Sequence, residues 1–192
     1  MTEIEVIRSR RKSLSLEVKP DGRVLLRAPF WATQRELKAF AEKNRSWIDR
    51  KQEEARLRRE KALAVPPLTG EELEALQRRG RDLFARRAAH YAPLVGVDYG
   101  RISVRRQRSK WGSCSNQGNL NFNCLLLLAP EEVLDYVVVH ELCHRLEMNH
   151  SPRFWANVRR VLPDYERSRR YLRENGAALM ARLPTKESQG KR

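Results

Sequence analysis

The segment LDYVVVHELCH, residues 134–144, constrains the fold of this chain more than any other. It joins an apolar run to the pattern H-E-x-x-H. On a helix, residues four apart lie one turn above each other on one face, so His140 and His144 present both imidazoles to one point. Val133, Leu134, Tyr136, Val137 and Val138 read as the buried side of that helix. Two imidazoles and a carboxylate on a largely buried helix are costly without a partner, and a shared metal ion is the partner this spacing suits. Glu141 follows the first histidine directly and points beside the ion, where it can take a proton from metal-bound water. Cys143, inside the motif, faces away and reads as core packing.

Zinc asks for a third protein ligand and an open fourth position. The chain has four histidines, and a third one, His150, lies six residues past His144. On a continued helix it would point about 240° away from His144. The sequence NHSP predicts that the helix stops: Asn149 tolerates a left-handed backbone, and Ser151-Pro152 reads as the N-cap and first residue of a new helix. A reversal there returns His150 toward the other two. The spacing H-E-x-x-H-x5-H equals that of the long metzincin signature, but Glu147 stands where that signature has its turning glycine. Acidic third ligands are the alternatives: Asp164 or Glu166 from a following helix, or Glu147, which suits an outer role better because it lies about 10 Å along the axis from His140. The expected cofactor is one Zn2+ per chain, though imidazole sites accept other divalent ions. With such an ion, Glu141 acts as general base in hydrolysis.

Around this helix the pattern alternates between strand and helix, an α+β arrangement. LSLEV (14–18) and VLLRA (24–28) flank the turn KPDGR, giving an N-terminal β-hairpin region. Thr33 is a candidate N-cap for a helix through Leu37, Phe40, Trp47 and Ile48 that continues as an exposed, charge-alternating extension to the break at VPPLTG. Thr69 and Glu72 form a capping box for a second helix through Tyr91. RISVRRQ (101–107) and GNLNFNCLLLL (118–128) read as strands, and Ala129-Pro130-Glu131-Glu132 as the start of the histidine helix. The expected division is an N-terminal strand/helix region over 1–66, a catalytic region over 67–183 and a flexible tail over 184–192, the first two packing as one unit.

Lys and Arg outnumber Asp and Glu by 39 to 24, a formal charge of +15. Such a surplus favours an acidic partner, nucleic acid or nucleotide among them, or is simply a solvated surface. RISVRRQRSKW concentrates Arg101, Arg105, Arg106, Arg108 and Lys110 without an acid. Strand alternation would send Arg106, Arg108 and Lys110 to one side, beside Trp111, able to receive phosphates or stack a base. Arg153, Arg159 and Arg160 could extend the same surface. Three cysteines suggest reduced thiols, and the N-terminus shows no signal-like apolar stretch. The longest aliphatic run, LLLLA at 125–129, cannot span a bilayer. A cytoplasmic protein without a membrane partner is the expectation; the oligomeric state is not encoded legibly.

RSKWGSCSNQGNLNFN, LDYVVVHELCH and NHSPRFW together resemble the YgjP-like metal-dependent hydrolases, distant relatives of the SprT and WLM zinc peptidases. The resemblance covers nearly the whole chain and is densest from about 105 to 155. It implies a zincin-like fold, with the H-E-x-x-H helix beside a small sheet and His150 as third ligand. Its members are read as metallopeptidases by fold, which does not itself supply a substrate; a zinc-dependent peptidase acting on a peptide or protein substrate is the leading expectation. Within such a site GNLNFN is a candidate strand for pairing with an extended peptide, or an internal strand of the sheet; Asn121 and Asn123 would then line the cleft. Trp111 and Cys114 either wall that cleft or pack beneath it. A phosphoanhydride (nucleotide) hydrolase using Arg106 and Arg108 is the alternative enzyme, and a nucleic-acid-associated protein with a protease-like or structural zinc site is the alternative from another class.

Overall fold

The computed structural model describes residues 3–184; beyond Pro184, the tail expected over 184–192 lies outside them. The chain divides into two compact units, Met1–Ala64 and Val65–Arg192.

The first unit is a three-stranded sheet with two helices. Strands β1 (Ile4–Ser9), β2 (Ser15–Val18) and β3 (Val24–Pro29) lie in the order β1-β3-β2. The expected hairpin is β2 and β3, antiparallel, closed by a bond from the Gly22 N–H to the Lys19 carbonyl at 2.9 Å. Gly22 sits at φ 88°, which explains why the turn needs glycine. Strand β1, not anticipated, pairs in parallel with β3 from Ile4–Val24 to Ser9–Pro29. Helix α1 (Gln34–Lys43) opens on the Thr33–Glu36 capping box. A single long helix was expected here, but it breaks at Asn44, whose side-chain amide donates to the Phe40 carbonyl at 2.7 Å, and α2 (Arg45–Leu63) starts afresh. The exposed part of α2 carries ion pairs such as Lys51–Glu54 and Arg56–Glu53, worth little each. It stops before Val65-Pro66, where proline disfavours helical backbone in the residue preceding it.

The second unit begins with α3 (Gly70–Val95), capped by Thr69 and Glu72 as expected. It runs through Pro93, beyond Tyr91, to a left-handed Gly96. Strands β4 (Ile102–Arg105), β5 (Gly112–Cys114) and β6 (Leu120–Asn123) repeat the topology of the first sheet, in the order β4-β6-β5. Here too the first and third strands are parallel and the middle one antiparallel. Leu120 and Phe122 point to one face, where Phe122 stacks on Phe84 of α3 at 4.5 Å; all three are completely buried. Two expectations fail. The strand in RISVRRQ ends at Arg105, so Arg106, Arg108 and Lys110 are not arrayed along a strand face. The run CLLLL is a 3-10 turn, Cys124–Leu128, because the Asn123 side chain accepts the Leu125 N–H and curls the chain out of the sheet. Helix α4 (Glu131–Cys143) follows, then α5 (Pro152–Val161) and α6 (Tyr165–Ala181). The fold is α+β. Among the described residues no helix is long and apolar enough to cross a membrane.

Candidate metal centre

Helix α4 is buried on most sides, through Val133, Leu134, Val137, Val138, Val139, Leu142 and Cys143. It ends at Cys143, whose carbonyl accepts the N–H groups of both Leu146 and Glu147 at 3.0 Å. His144 is thus the C-cap, directly after the last helical residue. The reversal at NHSP occurs without the left-handed residue expected at Asn149; among the described residues positive φ is confined to glycines. Instead the Asn149 side chain accepts the Ser151 N–H at 3.0 Å, and Ser151 caps α5 by accepting from the Phe154 N–H. The turn returns His150 to the helix: its Nε2 lies 3.0 Å from Nε2 of His140. All three imidazole pairs have ring centroids 4.9 Å apart. Among the described residues these three form the one metal-capable cluster, with ligand atoms within 4.8 Å of one another.

The charge state suits a cation. His144 Nδ1 is 3.0 Å from the Glu147 carbonyl. A carbonyl only accepts, so Nδ1 carries the proton and Nε2 keeps its lone pair. Burial, reinforced by the other two histidines, pushes the His140 pKa down to about 3, and burial likewise lowers His144. His140 Nδ1 is buried without a hydrogen-bond partner among the described residues. The His140 and His144 rings are thus held neutral, and the exposed His150 joins them from the solvent side. Three imidazole donors and an open side fit a zinc-type ion. The acidic alternatives lie outside the cluster: the Glu147 side chain pairs with Arg153 at 3.8 Å and Glu166 with Arg159 at 3.2 Å, while Asp164 precedes α6.

Glu141 is only 5% exposed, and its pKa is pushed up to about 8 by burial, with Lys110 pulling the other way. Its side chain lies flat on Gly112 of β5. A Cβ there would stand 2.6 Å from Oε1 and 2.7 Å from Cγ of Glu141. Sequence reading missed this glycine; its signal was a lone Gly inside a strand, which marks close approach of another group. Gly112→Ala is expected to displace the carboxylate and lower turnover at least tenfold, with the bound ion retained; metal analysis beside a rate measurement checks it.

Aromatic rings back the histidines. Phe154, fully buried, has its centroid 4.8, 4.6 and 4.8 Å from those of His140, His144 and His150. Trp155 stacks on His150 at 5.7 Å and on Tyr165 at 5.4 Å, with the Arg169 guanidinium 4.7 Å above it. Tyr136 meets His140 edge-on at 5.7 Å.

Other expected site residues are dispersed. Asn123 is completely buried, its amide donating to the carbonyls of Gln107 and Lys110 at 2.6 and 2.9 Å. It fastens the 107–110 loop and is not a cleft residue. Asn121 donates to Ser113 Oγ at 3.3 Å, on the face of the sheet opposite Leu120 and Phe122. β6 is the central strand, so GNLNFN offers no free edge; β4 and β5 are the edges, and β5 is the one that carries Gly112 against Glu141. Trp111 is half-buried against Gly176 of α6, 3.2 Å from where a Cβ would be, and packs with the core. Cys114 is half-buried and packs against the same core. Arg106 binds Gln77 at 2.7 Å on α3 and Arg108 binds the Pro184 carbonyl, so neither joins the histidines. Arg153 is exposed at the start of α5.

These groups set the pH response of the metal-free protein. Glu141 keeps its proton to about pH 8 where the unfolded chain releases it near 4.5, so its effect is a loss of stability as pH rises between those values. His140 does the reverse: the unfolded chain takes up a proton near 6.5 that the fold refuses until about 3, so stability falls as pH drops through that window. Above pH 6.5 only the Glu141 effect remains of the two. The metal-free protein is expected to lose melting temperature from pH 6.5 to 8, a slope that Glu141→Gln removes.

The chain matches the family described as YgjP-like, metallopeptidase domain, over residues 12–75 and 71–175. Among solved structures it is similar to the metallopeptidase zymogen abylysin of Pyrococcus abyssi, with 22% identity over 47% of this chain and 92% of that one, at a TM-score of 0.43. A search of the curated proteins found no match. The family match runs through the histidine segment and through most of the sequence, and on that footing the chain belongs to the YgjP-like metallopeptidase-domain family, proteins of the metal-dependent hydrolase type.

Proposed function

We propose that this chain is a zinc metallopeptidase in which His140, His144 and His150 hold the ion and Glu141 is the general base. The observation that carries this reading is the convergence of three imidazoles with one buried carboxyl group, Glu141, next to the first of them in sequence. A divalent ion in that place supplies a Lewis acid, polarising a carbonyl and acidifying water. Glu141, held by Gly112 beneath it, accepts the proton of the attacking water and returns it to the leaving amine. Lys110, the cation felt by Glu141, keeps the carboxyl ionisable in a site that otherwise favours its neutral form.

The edge strand supports a peptide as substrate. The Asn123 N–H bonds to the Trp111 carbonyl at 2.8 Å and the Ser115 N–H to Asn119 at 3.0 Å. Antiparallel alternation then turns the backbone N–H and C=O groups of Gly112 and Cys114 away from β6, toward the open edge. An extended peptide pairing there would lie alongside Glu141. The cations that suggested a nucleotide substrate, Arg106 and Arg108, are engaged elsewhere.

The test joins metal analysis to a peptide-library digest. One zinc per chain is expected, with cleavage lost on chelation and restored by zinc. His150→Ala should weaken zinc binding by more than about 100-fold, beyond the usual effect of an outer-shell change. Protein that takes up no ion, or binds it equally well without His150, defeats the proposal.

A further inference from the structure

The first unit carries a feature that the metal centre does not use. Residues Pro29-Phe30-Trp31-Ala32 form a tight turn, closed by the Ala32 N–H on the Pro29 carbonyl at 3.3 Å. Its two central residues are large aromatics, where turns ordinarily place Gly, Asn, Asp or Pro. Phe30 is 63% and Trp31 68% exposed. The turn is also fixed: the Arg8 guanidinium donates to the carbonyls of Pro29, Phe30 and Ala32 at 3.2, 3.0 and 2.8 Å. On its far side Thr33 and Glu36 lock the start of α1. The rings are held out in solvent by a built support and are not merely left there.

Cations stand next to them. Parallel pairing brings Ser9 opposite Pro29, so β1 and β3 end together, about 5 Å apart. The segment leaving β1 is Arg10-Arg11-Lys12, with Arg10 and Lys12 exposed; Arg35 is exposed in the first turn of α1. Two rigid exposed rings beside three exposed cations match what a single strand of nucleic acid offers, unstacked bases and a regular phosphate chain. Duplex DNA hides its base faces. A lipid surface is less well matched: interfacial anchoring uses an amphipathic helix with a broad apolar face, and this tip offers two rings on one turn.

We propose that the Phe30–Trp31 turn, with Arg10, Lys12 and Arg35, is a stacking platform for single-stranded nucleic acid. The proposal is independent of the metal centre. The probe is fluorescein-labelled dT15, followed by anisotropy at 50 mM salt, with a 15-base-pair duplex and vesicles of mixed anionic and neutral phospholipid as comparison arms. Wild type should bind dT15 more tightly than duplex. Each ring contributes a stack, so Phe30→Ala with Trp31→Ala should weaken binding by about 100-fold at unchanged melting temperature, and Trp31→Phe should restore most of the loss. Arg10→Ala with Lys12→Ala should reduce the slope of log affinity against log salt by about 1.4. Absence of dT15 binding, equal binding by the ring-deleted protein, preference for duplex, or ring-dependent binding to vesicles alone would each overturn the proposal. If the double variant melts early, Trp31→Phe and Trp31→Ala compared alone decide the same question.

Discussion

Glu141→Gln is expected to lower peptide cleavage by about 10²–10⁴-fold, the usual span for loss of a general base, and to leave the zinc content at one per chain. The substitution preserves shape, which matters because the side chain is pressed between α4 and Gly112, with no room for a different outline. It removes only the ability to take a proton. An amide also suits this buried place better than a carboxylate, so the variant folds at least as well as the parent. Rate and metal content measured on one preparation separate the outcomes. Full activity in Glu141→Gln would remove Glu141 from the reaction, and loss of the ion would make it a structural part of the centre.

The second large effect belongs to Phe154. Its ring touches all three histidines at nearly equal distance and is completely shielded from water. Phe154→Ala is expected to cost about 3–5 kcal/mol of stability, because the cavity opens behind three side chains at once. The same cavity lets the imidazoles tilt, so zinc affinity should fall along with stability. Phe154→Leu, which refills most of the volume, should recover both in large part. Denaturation of the metal-free forms isolates the packing effect; a competition titration with a chelating dye isolates the ion. A Phe154→Ala protein as stable as its parent would mean that the ring is not a packing element.

Where a structural signal is local, the sequence carried it. The Thr33 and Thr69 capping boxes, the β2–β3 turn, the H-E-x-x-H helix and the Ser151-Pro152 restart all depend on residues within a few positions of each other. The reversal that returns His150 was readable from NHSP, although Asn149 achieves it by accepting a hydrogen bond and not by a left-handed backbone. What escaped is what depends on distant partners. Nothing in IEVIRS announces a parallel neighbour twenty residues on. The alternation in GNLNFN is the same for a central as for an edge strand, so the edge role passed unseen to β5. The LLLL run is equally apolar as strand or turn, and a single side chain, Asn123, decided the matter. The contact of Gly112 with Glu141 joins two segments almost thirty residues apart, and sequence spacing cannot show it.

The three donors straddle the bend between α4 and α5, two before it and one after. The bend has little apolar anchorage of its own: Leu146 and Met148, its largest apolar side chains, are 45% and 53% exposed. An ion shared across it would act as a clasp, and whatever stabilised the loaded form would be drawn from this one segment rather than spread over the interior. Without such an ion the buried helix would stay packed while the bend became a nick-prone elbow, so that ion supply would govern the protein's lifetime as well as its chemistry.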